Sequence, residues 1–377
     1  MKITDVKVYL ARDRRTYCFV VVETDEGISG LGASGIGARE LAVQGAIAHF
    51  KPLLIGQDPF RAEHIWQLLF RGGFYPAQRI LTAAIAAIDI ALWDIKGKAL
   101  GVPVYELLGG RARDRVLTYN HNHGETVEEL VACCQRSVDE GWKALRWKLA
   151  HKADDILEPD AAVRDGIKEI AALRMALGDE IKLALDVHTR LNMVHSLWLC
   201  QEAEQYRPFF IEDPLRVENA ESYRNLRRRT AVPLAAGEQY NSKWEFRQVI
   251  EEELIDYARI DPCICGGITE AKKIAAACET HYIELALHNP IGPVATSAFL
   301  HLCLSVPNCA VLELPRRPGE NLSDLVLNQP EWQDGYLLPP TSPGLGIEFN
   351  PEALSKYPFS MNEPTHLRRA DGSVTNW

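Results

Sequence analysis

KLALD (182–186), FFIED (209–213), VPLAAGE (232–238), YARID (257–261), IELALH (283–288) and AVLELP (310–315) are six short apolar runs that follow one another through the second half of the chain. Each carries an ionisable residue at or near its end, and Asp186, Glu212, Glu238, Asp261, His288 and Glu313 are separated by 26, 26, 23, 27 and 25 residues. That interval suits one strand plus one helix of a (β/α) barrel, in which side chains at the carboxyl ends of the strands converge on one face. The six residues are therefore expected in a single pocket. Carboxylates crowded together repel and raise one another's pKa, so a bound cation is the natural way to hold them. Asp186, Glu212 and Glu238 would end the third, fourth and fifth strands, and an all-oxygen set of this kind selects Mg²⁺, or Mn²⁺, over zinc.

Outward from this stretch, VLTYNH (116–121) and the run beginning ALRWK (144–148) supply two earlier strands, making eight. Seven amphipathic segments fall between them, from TVEELVACCQRSVDEG (126–141) to GPVATSAFLHLCLSV (292–306). After AVLELP the chain turns Pro- and Gly-rich, from RRPGENLSDL to SPGLGIEF, which rules out an eighth regular helix. The fold class expected is α/β, a modified TIM barrel of the (β/α)7β type. Residues 1–112 read instead as an α+β capping unit. Strand-like ITDVKVYL and YCFVVVE come first, then a turn at Asp25-Glu26-Gly27, and later a helix with Ile85, Ile88, Leu92 and Ile95 on one face. The barrel is placed at 113–327, and residues 328–377 are expected to pack back on the capping unit.

A chain of 377 residues is long enough for a barrel of about 200–250 residues plus a second unit. Apolar residues make up 47%, charged residues 24%, and the formal net charge is −10, a balance that excludes a nucleic-acid footprint. The nine cysteines are scattered without a CxxC pair, which points to reduced thiols in a cytoplasmic protein. The N-terminal MKITDVKVYL does not read as a secretion signal. The most apolar helix, ILTAAIAAIDIALW (80–93), is interrupted by Asp89 and followed by Asp94, short of the roughly 20 residues a membrane span needs. A homo-oligomer is expected, as for most soluble enzymes.

His188 lies two residues after Asp186, so the strand pleat would point both into the pocket and make His188 a general acid beside the metal. Asp261 and His288 on neighbouring strands form a carboxylate–imidazole pair, the arrangement of a general base. His195, His281 and His301 have no such partner and read as surface or core residues. Arg146 and Lys148 share one strand face and could supply positive charge to a substrate carboxylate or developing enolate. GIGARE (35–40) and CGGITE (265–270) lack a Walker Lys-Ser/Thr or a complete GxGxxG and read as turns.

The helix AAIDIALWDIKGKALGVPVYELLGG (86–110) and the order Asp186, Glu212, Glu238, Asp261, His288, Glu313 resemble the mandelate racemase branch of the enolase superfamily. Within it, DVH (186–188), HNPIGP (288–293), SPGLGIEF (342–349) and RGGFYP (71–76) resemble the galactonate dehydratase group. The resemblance implies Mg²⁺ on Asp186, Glu212 and Glu238, His288 with Asp261 as base, His188 as acid, and Glu313 as a partner of the substrate or intermediate. It implies an aldonate substrate whose C2 proton is removed, an enediolate stabilised by the ion with Lys148 assisting, and loss of the 3-hydroxyl to a 2-keto-3-deoxy acid. Ala33, Gln239 and Leu314-Pro315 depart from the pattern where distal hydroxyls would be read, so the sugar is left open. Tyr75, Arg190, Asn120 and His121 are candidate substrate contacts. Two alternatives stand beside the dehydratase: a racemase or epimerase using Lys148 and His288, and a non-catalytic relative that keeps the fold.

Overall fold

The computed structural model describes residues 1–149 and 155–376. The chain opens with an antiparallel sheet of β1 (Ile3–Arg12), β2 (Thr16–Thr24) and β3 (Ser29–Ser34), followed by α1 (Glu40–Leu54), α2 (Ala62–Arg71), α3 (Arg79–Leu100) and the single turn α4 (Val104–Leu107). Valines 20 and 22 of β2 face the apolar side of α3, and alternation in β1 and β2 leaves the opposite face to the rest of the molecule. The α3 helix lies against β3 at Gly30 and Gly32, where a Cβ would run into the carbonyls of Ala91 and Ala87.

Eight parallel strands then alternate with helices: β4 (Val116–Asn122), α5 (Val127–Asp139), β5 (Ala144–Lys148), α6 (Pro159–Leu177), β6 (Lys182–Asp186), α7 (Met193–Ala203), β7 (Phe210–Glu212), α8 (Ala220–Arg227), β8 (Leu234–Ala236), α9 (Lys243–Glu251), β9 (Tyr257–Ala258), α10 (Ile268–Thr280), β10 (Glu284–Leu287), α11 (Pro293–Ser305) and β11 (Cys309–Glu313). Each strand pairs with the next, and β11 pairs with β4 through Leu312↔Thr118 and Glu313↔Tyr119, so the barrel closes. Its interior is filled by Tyr119, Phe210 and Val311 among Ala144, Ala184, Ala235 and Ala286. Four alanines leave the width that two aromatic rings need, and this packed layer forms the floor beneath the strand ends. The (β/α)7β expectation matches this architecture.

The tail serves both units rather than the capping unit alone. The strands β12 (Val326–Leu327) and β15 (Glu348–Phe349) pair, while β13 (Trp332–Gln333) and β14 (Tyr336–Leu337) form a hairpin whose second strand runs antiparallel to β4. Phe349 then packs on Tyr9 and Phe19 of the capping sheet, with ring centroids 5.1 and 5.6 Å away. All nine cysteines are free. Among the described residues no helix is long and apolar enough to cross a membrane.

Two acids of α3 join the units. Asp89 accepts the backbone N–H of Thr269 at 3.0 Å and its hydroxyl at 2.5 Å, capping the first turn of α10 from outside the barrel. Asp94 accepts the N–H groups of Leu31 at 2.9 Å and Leu345 at 2.8 Å and an ion pair from Lys98 at 2.6 Å, tying β3 to the tail. Asp89→Ala orphans the α10 donor and is expected to cost about 1–3 kcal/mol, read as a lower denaturant midpoint with unchanged helical signal. Burial pushes the Asp89 carboxyl up to about 7 against the pull of its two bonds to Thr269. Its stabilising protonated form is complete below the ordinary Asp value of about 3.9 and is lost as pH rises through the folded value. Asp89→Asn should therefore flatten the fall in stability across that window; equal pH slopes for variant and parent would refute this.

Candidate active site

The parallel register sets the acids side by side. Asp186 and Glu212 are direct register partners at the ends of β6 and β7, and Glu238 follows two residues after β8. Backbone bonds from Val187 N–H to Glu212 O and from Asp213 N–H to Ala235 O, at 2.9 and 2.8 Å, hold these ends together beyond the strands. All three acids are buried. Two arginines meet them: Arg146 of β5 donates to Asp186, and Arg259, past the end of β9, lies 2.7 Å from Glu212, 3.6 Å from Glu238 and 2.7 Å from Glu313.

With the arginines so placed, no group of three or more His, Cys, Asp or Glu among the described residues closes up as a ready metal cage. The donor set nevertheless fits a hard divalent cation. Asp186 Oδ1 and both Glu212 oxygens are buried without a hydrogen bond, the Arg259 contact with Glu212 Oε1 being close but not aligned as one. Burial pushes the Glu212 carboxyl up to about 7 despite Arg259 and Arg146, and pushes Asp213 well above its usual range. Unsatisfied buried oxygens on adjacent strands are costly without more positive charge, and oxygen donors of this kind suit Mg²⁺.

On the opposite side of Glu238, His288 Nδ1 lies 2.8 Å from Asp261 Oδ2, while Asp261 Oδ1 accepts the Cys263 N–H at 2.7 Å. The aspartate thus orients the ring and leaves Nε2 facing Glu238, 3.5 Å away. Burial works against charge on His288, but Glu238, the bond to Asp261 and Glu313 outweigh it and raise the imidazole to about 9. Glu313 is bound on three sides, by His121 Nε2 at 2.6 Å, Arg259 and the Asn289 N–H at 2.9 Å. Burial alone would raise its carboxyl; Arg259 and the two histidines hold it well below the ordinary range. His188 is buried, and the charges acting on it come from Lys148, Arg146, Arg190 and His288. Burial, then Lys148 and the arginines, keep it well below the usual histidine value. Burial together with Arg146 and Arg190 brings Lys148 down to about 8.

Asp186, Glu212, Glu238, Asp261, His288, Glu313, His188, Lys148 and His121 are thus gathered as expected, though not always for the expected reason. The pleat does not carry His188 inward. His188 and Thr189 have φ of +57° and +55°, so the chain has left strand geometry and enters the left-handed region before the side chain is aimed. Asn120 is a correction. Its neighbours Tyr119 and His121 face the barrel, so alternation turns Asn120 outward, where it donates to Ser137 of α5 at 2.8 Å and accepts from Asn122 at 2.9 Å. Tyr75 is 83% exposed beside the 91% exposed Phe74 on the α2–α3 connection. Arg190 is buried near Lys148 and donates to Leu149 O at 2.7 Å. Arg259 and Asp213 escaped the sequence reading; Arg259 stands two residues before Asp261 in an otherwise apolar run, and that parity was the available signal.

Residues 7–109 match the mandelate racemase / muconate lactonizing enzyme N-terminal domain, and residues 129–353 match the enolase C-terminal domain-like family. The chain is 38% identical over 387 residues to a D-galactonate dehydratase of Verminephrobacter eiseniae, and 34% identical over 404 residues to a D-mannonate dehydratase of a Caulobacter species, both chains being covered completely in each case. A crystal structure of an enolase from Pantoea ananatis with bound D-gluconate and Mg superposes with a TM-score of 0.94 at 33% identity, over 100% of this chain and 99% of that one. A closed (β/α)7β barrel with acids on successive strand ends, capped by a sheet-and-helix unit and matched over its whole length, makes this chain a member of the mandelate racemase branch of the enolase superfamily.

Proposed function

We propose that the protein is a Mg²⁺-dependent acid-sugar dehydratase that converts an aldonate to a 2-keto-3-deoxy acid. The Asp261–His288 pair beside Asp186, Glu212 and Glu238 carries this reading. The D-galactonate and D-mannonate dehydratases and the D-gluconate-bound neighbour support the substrate class. Free thiols throughout suit a reducing compartment, and we place the enzyme in the cytoplasm as a homo-oligomer.

The chemistry follows from the two histidines. Asp261 fixes His288 with Nε2 toward the site, where it takes the C2 proton of the acid. When bound on Asp186, Glu212 and Glu238, Mg²⁺ supplies positive charge that offsets Glu238, the largest upward pull on His288, and stabilises negative charge developing on the substrate carboxylate. His188 delivers a proton to the departing 3-hydroxyl, which leaves as water, and does so as the imidazolium, a form that burial and the nearby cations oppose and that the negative charge of the bound acid favours. The resulting enol takes a proton at C3 and becomes the ketone. Glu313, held by Arg259, His121 and Asn289, is placed to accept a substrate hydroxyl. A histidine or lysine base beside Mg²⁺ is the known habit of this superfamily.

Epimerisation at C2 is the second reading, because Lys148 at about 8 is basic enough to hold a proton and acidic enough to return one. Product analysis by NMR in D₂O separates the two: dehydration gives the keto acid with deuterium at C3, while epimerisation gives deuterium at C2 with the 3-hydroxyl kept. His288→Asn should lower kcat about 10²- to 10⁴-fold with the circular dichroism spectrum unchanged. Asp186→Asn should abolish Mg²⁺-dependent turnover across a panel of aldonates; full activity in that variant sinks the metal assignment.

A further inference from the structure

A cavity of about 210 Å³ opens beside Glu313, sharing His121 and Asn289 with the network that binds that carboxylate. Its walls come from three places: Arg14 and Arg15 in the β1–β2 turn, the segment Leu314–Pro318 after β11, and the first turn of α11 at Gly292, Pro293 and Thr296. Arg14, Arg15, Arg316 and Arg317 all line it, and no Asp or Glu does, in a chain whose net charge is −10. Arg317 is taken by Glu140 at 2.8 Å and lies over the Trp332 ring, and Arg15 donates to Pro290 O. Arg14 and Arg316 make no hydrogen bond or ion pair with any other described residue. The guanidinium groups of Arg14 and Arg316, which no acid among the described residues pairs, are suited to fork onto a carboxylate or phosphate. The amino end of α11 adds partial positive charge on the same side. The volume is below the roughly 300–1,000 Å³ of a free-standing small-molecule site, so it suits the end of a ligand better than a whole one.

We propose that this cavity receives the far end of the substrate and that this end is anionic, so that the acid sugar turned over carries a second carboxylate or a terminal phosphate. The proposal rests on the dehydratase reading and narrows its substrate class. It also accounts for the placement: the reacting acid end belongs among the strand-end acids and their cation, and the remote end among the arginines beyond Glu313.

The test compares neutral-ended aldonates, aldarates and terminally phosphorylated aldonates on the parent enzyme and on the Arg14→Ala/Arg316→Ala variant, whose two side chains hold no part of the fold. The doubly anionic acids should exceed neutral-ended ones in kcat/KM by about tenfold to a hundredfold, and the variant should lose that margin mainly through KM. Whichever of aldarate or phosphorylated acid shows the margin identifies the anion. Equal or better turnover of neutral-ended aldonates overturns the proposal and leaves the dehydratase reading intact. A separate arm follows thermal stabilisation by inorganic phosphate, expected in the parent and reduced in the variant. Identical shifts in both proteins, or none in either, would also overturn it. No turnover of any acid, with arginine-dependent phosphate binding retained, removes the dehydratase reading and the substrate role together.

Discussion

Arg259 is the interaction on which the site depends. Its fully buried guanidinium stands between Glu212, Glu238 and Glu313, and its remaining Nη donates to Ala286 O at 3.0 Å. A buried charge with no partner costs several kcal/mol, and so does each carboxylate it serves. Closure of the barrel solves both at once, because the ends of β7, β8, β9 and β11 arrive around one point only when β11 has paired with β4. Tyr119 from the floor puts its ring 5.7 Å from the same guanidinium. The small alanines of the interior, the closing strand pair and the ionic layer above them are therefore one design, each requiring the other two.

The charges are sorted in space. Carboxylates dominate the centre, where the strands end, and arginines dominate the rim, which is built by a turn of the capping sheet and the segment after the last barrel strand. Glu313 stands at the border and is bound from both sides, by Arg259 below and by His121 toward the rim. The carboxylates and their histidines sit on the barrel, whereas the rim arginines come from connections that hold little of the core. This division explains why one scaffold supports many acids with one central chemistry.

Much of this was legible in the amino-acid order, and the reasons are local ones. Strand ends recur with the length of a β-plus-α unit, so the amino-acid order alone assigns Asp186, Glu212, Glu238, Asp261, His288 and Glu313 to one face. Parity along a strand is equally readable and separates His121, which faces Glu313, from Asn120, which faces α5. What could not be read depends on distant chain. The left-handed turn at His188 and Thr189 is fixed by bonds such as Thr189 N–H to Asp213 O at 2.9 Å, which no local pattern announces. The joining roles of Asp89 and Asp94 span 180 and 251 residues, so within α3 they looked only like interruptions of an apolar helix.

The anchoring of α3 fixes how the capping unit can move. One acid of that helix grips the barrel at α10 and the other grips β3 and the tail, so swinging the whole upper unit away would break buried bonds at both ends of the lever. The capping sheet is thus bolted down through α3, and its outer edge beside the arginine-lined cavity is the short turn at Asp13–Arg15, whose residues are exposed or half-buried.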